Sequence, residues 1–362
     1  MKINSPICSR TFFRPNFKKL EILSRILDEK SAPFVVAELS GNHGGGLDKA
    51  LKLVSAAKEA GADAIKLQTY RPDTITVKGT DGRFKLKTGL WKGKFLHELY
   101  EQAMTPWEWH PLIAQEARNL GMICFSSPFD ESAVDFLEES IQPALYKVAS
   151  FEMNHFPLLE RIGKTEKPVL ASVGVSESQE IFNALKVLRG AGCPEVILLH
   201  CVSEYPAKPS DFCLRRMPLL ESDYKVKFGL SDHSLGHLVA VAATALGARV
   251  IEKHLCLDRD ESSIDGAFSM LPQEFAELVS AIRLTHSAMS GSQPPKESAK
   301  FKRSILVSNP IQQGDRLTPE NIRIARPGDG LCPSRWNDIL GQYATIDMSV
   351  GHPLSDQDIA KL

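Results

Sequence analysis

"GLSDHSLGHLVAVAATALGARVIEKHL" (Gly229–Leu255) carries the pattern that decides the fold. A short apolar run ends at Asp232 and His233, a small-residue helical stretch follows, and a second apolar run ends at Glu252 and His254. Strand, helix and strand with polar residues gathered at the strand ends is the repeating unit of a parallel α/β sheet.

Working outward, the same alternation runs back to Phe34. Strand candidates are residues 34–40, 64–69, 123–129, 145–150, 168–174, 195–203, 227–233 and 249–255. The intervening stretches, such as 47–61, 178–192 and 272–284, have helical apolar spacing, and several end in Gly. Eight strand–helix repeats over ~250 residues predict a (β/α)8 TIM barrel. A doubly wound open sheet is the alternative; no G-x-G-x-x-G follows the first strand, and the count of eight favours the barrel. Residues 1–30 read as an N-terminal extension and 31–289 as the barrel. "SGSQPPKESAK" (290–300) reads as a linker and 301–362 as a small module of short strands and turns. Tyr70–Met104 is a long insertion after the second strand, expected as a surface loop beside the mouth of the barrel.

The composition narrows the class. The 362 residues are 43% hydrophobic and 24% charged, with a formal net charge of −1. That balance gives no global field for nucleic acid, and no ~18-residue apolar run offers a membrane span. The seven cysteines are scattered without a C-x-x-C, as in a reduced, cytoplasmic protein. "MKINSPICSRTFFRPNFKK" is basic but has no apolar core, so no signal peptide is expected there.

In a TIM barrel the chemistry gathers at the C-terminal strand ends. Those ends offer Glu38, then Asn42 and His43; Lys66 and Gln68; Ser126 and Ser127; Lys147, Ser150 and Glu152; Ser172 and Gly174; His200 and Ser203; Ser231, Asp232 and His233; Glu252 and His254. Two buried lysines need anionic company. Protein carboxylates could supply it, a ligand phosphate or carboxylate could, or one lysine could form a Schiff base. Lys66 and Lys147 beside Ser127, Ser150 and Ser172 favour an anion site. His233 and His254 close consecutive strands about 4.8 Å apart. Either could be a structural imidazole; together they suit a divalent metal with open positions. Cys201 and Cys256 read as core residues, Trp107 and Trp109 as packing or bordering the site, His110 and His237 as surface or capping residues, and Arg215 and Arg216 as solvated.

"AELSGNH", "DAIKLQT", "FSSPFD", "YKVASFE", "SVG", "GLSDH" and "EKH" occur in that order at successive strand ends. The set resembles the sialic acid synthase family of phosphoenolpyruvate-dependent sugar acid synthases, from about residue 31 onward. The last ~60 residues resemble the antifreeze-like (SAF) domain of that family. "KLQTYRPDTIT", "TPWEWH", "SSPFDESAVDFLE" and "CVSEYPA" are similar to the pseudaminic acid branch. Sialic acid synthases usually carry Thr-Asn where this chain has Val202-Ser203, which argues against N-acetylmannosamine as substrate.

The resemblance implies roles. Lys66, Ser127, Lys147, Ser150 and Ser172 would hold phosphoenolpyruvate, Lys147 with a catalytic part, and Ser231 would be a further substrate-binding residue. His233 and His254 would bind manganese or magnesium, and Glu38 would act as general acid or base. Gln68, Ser203, Tyr205 and Asp265 would line an acetamido sugar. Arg326, in "IARPGDG", would cap the site of a second subunit, making a domain-swapped homodimer. Other readings are N-acetylneuraminate or legionaminate synthesis, a Schiff-base aldolase, and a non-catalytic sugar-binding barrel.

Overall fold

The computed structural model describes residues 15–260, 263–291 and 296–360. Most of the basic N-terminal stretch and the middle of the linker (292–295) lie outside them. The chain divides into two units, Met1–Ser290 and Gly291–Leu362.

The first unit is a closed barrel of eight parallel strands, each paired with its sequence neighbours and the last with the first. They are β1 (Phe34–Glu38), β2 (Ala64–Thr69), β3 (Ile123–Pro128), β4 (Tyr146–Val148), β5 (Val169–Ser172), β6 (Val196–Cys201), β7 (Phe228–Asp232) and β8 (Val250–His254). The helices are α1 (Pro15–Leu27), α2 (Leu47–Glu59), α3 (Pro72–Ile75), α4 (Leu96–Ala103), α5 (His110–Asn119), α6 (Glu131–Ser140), α7 (Phe156–Gly163), α8 (Ser178–Gly190), α9 (Met217–Tyr224), α10 (Leu238–Ala245) and α11 (Pro272–Ser290). No helix among the described residues is long and apolar enough to cross a membrane.

Period-2 alternation sorts the strand side chains. Val35, Ala37, Ile65, Leu67, Leu230 and Ile251 pack outward with Leu53, Val54, Ala243, Leu278 and Ile282 of α2, α10 and α11. Val148, Val169, Ala171 and Leu198 do the same with Leu137, Leu158, Ile162 and Leu185 of α6, α7 and α8. The other parity fills the barrel. At its lower end Phe34, Val36, Phe125, Leu145, Leu170, Ile197, Leu199 and Val250 form an apolar plug. One pleat higher the same faces carry Glu38, Lys66, Lys147, Ser172, Ser231 and Glu252, all buried. Gly229 is the inward position of β7 where no side chain fits: a Cβ would stand 2.5 Å from the Val250 carbonyl oxygen and 2.7 Å from Leu199.

Two features depart from the sequence reading. Part of the expected N-terminal extension belongs to the barrel: Ile22 and Ile26 of α1 join the apolar plug. Arg249 holds that helix end, donating to the carbonyls of Ile26 (2.9 Å), Asp28 and Ser31 (2.9 Å). The 70–104 insertion is not an irregular loop. It holds α3 and α4, and between them Lys85 bridges Phe95 antiparallel, making a hairpin.

In the second unit β9 (Ser304–Val307) pairs antiparallel with β10 (Ile322–Ala325), and β11 (Tyr343–Ala344) with β12 (Ile359–Ala360). Ile305, Val307, Ile311, Leu317, Ile322, Met348 and Leu354 form its core. The short helix α12 (Trp336–Ile339) lies between the two strand pairs in sequence.

Candidate active site

The strand register brings the chemistry to one level. Glu38 pairs with Lys66 on one side and His254 on the other; Gln68 pairs with Ser127, and Ser231 with Glu252. All these side chains point inward at the C-terminal rim.

The centre is a buried network of two carboxylates and two ammonium groups. Lys66 Nζ is 2.6 Å from Glu38 Oε2 and 3.4 Å from Glu252 Oε1; Lys147 Nζ is 3.7 Å from Glu252 Oε1. Ser231 donates to that same Glu252 oxygen at 2.8 Å, while Glu252 Oε2 makes no hydrogen bond. The two acids are driven in opposite directions. Burial pushes the Glu38 carboxyl up, against the pull of Lys66. Burial also works against ionised Glu252, but Lys147 and Lys66 outweigh it and hold it below the usual range. Burial pulls Lys147 down, whereas Glu252 and Glu38 overcome burial at Lys66 and raise it. Two acids with divergent affinities fit two roles: Glu252 the fixed counter-ion, Glu38 the group that can carry a proton.

The hydroxyls surround the lysines. Ser127 Oγ lies 3.4 Å from Lys66 Nζ, and Ser150 Oγ lies 2.9 Å from Ser203 Oγ. Ser172 Oγ is buried with no partner, as a hydroxyl kept for a ligand would be. Glu152, just past β4, has one buried oxygen without a hydrogen bond, and burial pushes its carboxyl up to about 7 despite Lys147 nearby.

Beside this network on the same rim stand the two imidazoles, their ring centroids 5.5 Å apart. His233 Nδ1 is 2.9 Å from the Val202 carbonyl oxygen. That contact requires Nδ1–H and leaves Nε2 a bare lone pair. His254 Nδ1 is buried and unpartnered, 3.6 Å from Asp265 Oδ2. Burial depresses both imidazoles, His233 to about 4 and His254 well below its usual value, so both are neutral. Neutral, partly unpartnered nitrogens on neighbouring strands fit a divalent cation. No group of three or more His, Cys, Asp or Glu among the described residues is arranged to hold one, so two imidazoles would leave most positions to water and substrate.

Between the poles runs a polar seam. Gln68 Nε2 donates to Glu38 Oε1 (3.0 Å) and Ser40 Oγ (3.1 Å), and Ser40 donates to Asp265. Burial pushes the Asp265 carboxyl up to about 6. Asn42 fixes this loop: its Oδ1 accepts from Asp265 N and its Nδ2 donates to the Leu255 carbonyl and Ser269. Tyr205 lies over His233, ring centroids 4.5 Å apart.

Thus Glu38, Lys66, Gln68, Ser127, Lys147, Ser150, Ser172, Ser203, Tyr205, Ser231, His233, His254 and Asp265 gather at the rim. Arg326 lies in the second unit and is exposed. Other readings need correction. His110 is not a surface residue: it is fully buried, bonded to Thr69 Oγ1 (2.8 Å) and near the Pro106 carbonyl oxygen (3.2 Å). His200 faces the helix layer, 2.5 Å from the Phe212 carbonyl oxygen, and Ser126 turns outward to the Leu67 carbonyl oxygen. Trp107 stacks on Phe136, and Trp109 meets the edge of His43, so both are packing residues.

The sequence reading named Glu252 at its strand end but gave it no role; its place two residues before His254 on an inward face was the available signal. The buried Asp232–Lys253 pair (2.7 Å) went unread. Lys253 also donates to the Ser234 carbonyl (2.6 Å), tying the loop after His233 to β8.

The NeuB family model matches residues 53–294, and the SAF domain model matches residues 302–360. A pseudaminic acid synthase of Campylobacter jejuni (strain 81-176) is 41% identical, covering 90% of this chain and 96% of that protein. A pseudaminic acid synthase of Helicobacter pylori is also 41% identical, over 91% of this chain and 98% of that protein. Among solved structures, the N-acetylneuraminic acid synthetase of Leptospira borgpetersenii in complex with citrate superposes with a TM-score of 0.66 at 30% identity, covering 74% of this chain and 89% of that one. A barrel with this rim, followed by this second unit, makes the chain a member of the NeuB family of sugar-acid synthases, with a C-terminal SAF domain.

Proposed function

We propose that this chain is a pseudaminic acid synthase, a transferase that condenses phosphoenolpyruvate with a 2,4-diacetamido-2,4,6-trideoxyhexose to give a nine-carbon nonulosonic acid and phosphate. One observation carries the reading: two buried ammonium groups share Glu252, with the unpartnered Ser172 hydroxyl and a pair of neutral imidazoles on the same rim. The relatives bearing that name, matched over nine-tenths of the chain, support it.

On this reading the phosphate and carboxylate of phosphoenolpyruvate rest on Lys66 and Lys147, with Ser127, Ser150 and Ser172. His233 and His254 would hold a manganese or magnesium ion, which when bound polarises the aldehyde of the open-chain sugar. Gln68, Ser203, Tyr205 and Asp265 orient that sugar. C3 of phosphoenolpyruvate attacks the aldehyde carbon and a C–C bond forms. The carbonyl oxygen takes a proton from Glu38, whose proton affinity burial raises. Water then adds to the cationic C2 and its proton passes back to Glu38. Collapse of the tetrahedral centre breaks the C2–O bond to phosphate, the C2 hydroxyl proton leaves with it, and a ketone remains. The lysines keep the phosphate charge stabilised throughout; removing one such preorganised group costs about 3 kcal/mol, roughly a hundredfold in rate. Arg326 of a second subunit would cap the sugar in a domain-swapped homodimer.

The test is phosphate release from phosphoenolpyruvate across a panel of aminosugars, with and without EDTA. Release with the trideoxy sugar is expected, abolished by EDTA and restored by manganese or magnesium. Faster turnover of N-acetylmannosamine would overturn the assignment, as would EDTA-resistant turnover with borohydride trapping on Lys66 or Lys147.

A further inference from the structure

We propose that Trp91, carried by the hairpin between β2 and α4, sets sugar specificity by completing an aromatic wall that takes a methyl group of the substrate. The inference rests on the synthase reading above. Trp91 lies 5.7 Å from Tyr205 and 6.4 Å from Phe268, centroid to centroid. Tyr205 and Phe268 are 5.1 Å apart. The wall backs onto the paired imidazoles, with Tyr205 4.5 Å from His233 and Phe268 4.8 Å from His254. Phe268 is buried, whereas Trp91 and Tyr205 are half-buried, so the wall runs from the histidines out toward solvent.

The chemistry of this wall is one-sided. The indole's one polar atom is engaged, Nε1 donating to the Ile264 carbonyl at 3.3 Å, so its ring faces are left for apolar contact. The seam of Glu38, Gln68, Ser40 and Asp265 is polar. A sugar bound between them would set hydroxyls on the seam and an apolar substituent on the rings, the usual division of a small-molecule site. A methyl group can come from a deoxy carbon at C6 or from an acetamido group. Trp91 sits near the tip of the hairpin that Lys85 and Phe95 close.

Three sugars test this with phosphoenolpyruvate: the 2,4-diacetamido-2,4,6-trideoxyhexose, its 6-hydroxy congener, and its congener with a free amine at C4. The wild type should prefer the first over at least one congener by about 10- to 200-fold, the range one small group in an apolar pocket supplies. Trp91→Ala should reduce that preference to about threefold or less, through the KM for the sugar. The KM for phosphoenolpyruvate should stay unchanged, and Trp91→Phe should retain most of the preference. The arm that loses its preference identifies which methyl the wall holds. An unchanged preference in Trp91→Ala, or an equal loss on all three sugars, overturns the role of Trp91. Failure of the wild type to turn over any of the three sinks the synthase reading itself, a different result.

Discussion

Glu152 shows how much a single buried carboxyl can decide. It stands just past the strand that carries Lys147, and burial raises it from 4.5 to about 7. The folded state therefore binds a proton that the unfolded chain has released. The stabilising contribution is full below about pH 4.5 and is lost as pH rises through about 7. Glu152→Gln, which mimics the protonated form, should abolish this component. Urea denaturation between pH 4.5 and 8 should show the wild type losing up to about 3 kcal/mol relative to the variant. Parallel pH–stability curves would contradict it. At this scale the sequence was legible for Lys66, Lys147, His233 and His254, because alternation along a strand fixes which residues share a face. It was not legible for proton affinities. Glu38 and Glu252 are the same residue type and burial works to raise both; they diverge because Lys147 and Lys66 outweigh burial at Glu252, whereas at Glu38 Lys66 does not and the charge of Glu252 adds to the rise.

At the scale of elements, α1 has the clearest consequence. Its Ile22 and Ile26 enter the apolar plug beneath the charged layer. Ile26→Ala should cost about 2–5 kcal/mol in urea unfolding, as other core truncations do, while kcat stays near the wild-type value. Loss of activity without loss of stability would show that the plug shapes the rim and does more than close the base. The sequence reading set residues 1–30 apart as an extension because the family resemblance begins at about residue 31. Which face of a lone helix finds a core depends on the barrel base it covers. The 70–104 insertion teaches the same lesson. Its Lys-, Gly- and Thr-rich composition read as loop, yet Lys85 pairs with Phe95 and brings Trp91 to Tyr205. The hairpin pairs residues only ten apart but shows no regular alternation, and its meeting with Tyr205 joins residues distant in sequence.

For the whole molecule, the division at Ser290–Gly291 gives two units with separate cores, the second built on Ile305, Val307, Leu317, Ile322 and Met348. Because its core is its own, removing residues 300–362 should leave the barrel folded. Circular dichroism and urea unfolding should show a cooperative transition near that of the full chain. Turnover should fall by about a hundredfold or more if Arg326 supplies a charged contact to the reacting sugar. Wild-type turnover in the truncated chain would remove Arg326 from the mechanism.

By itself the sequence determined the barrel and the two pairs, imidazole and ammonium, at one rim. These follow from period-2 alternation and from chemistry repeated at successive strand ends, both local properties of the chain. Only the tertiary structure decided that one Glu252 oxygen serves both lysines, that His233 is held in one tautomer by Val202, and that an indole from a distant hairpin meets Tyr205. Each depends on strand register and on side chains far apart in sequence meeting within a few ångströms, where burial and Coulomb forces are strong and local pattern carries no record of them.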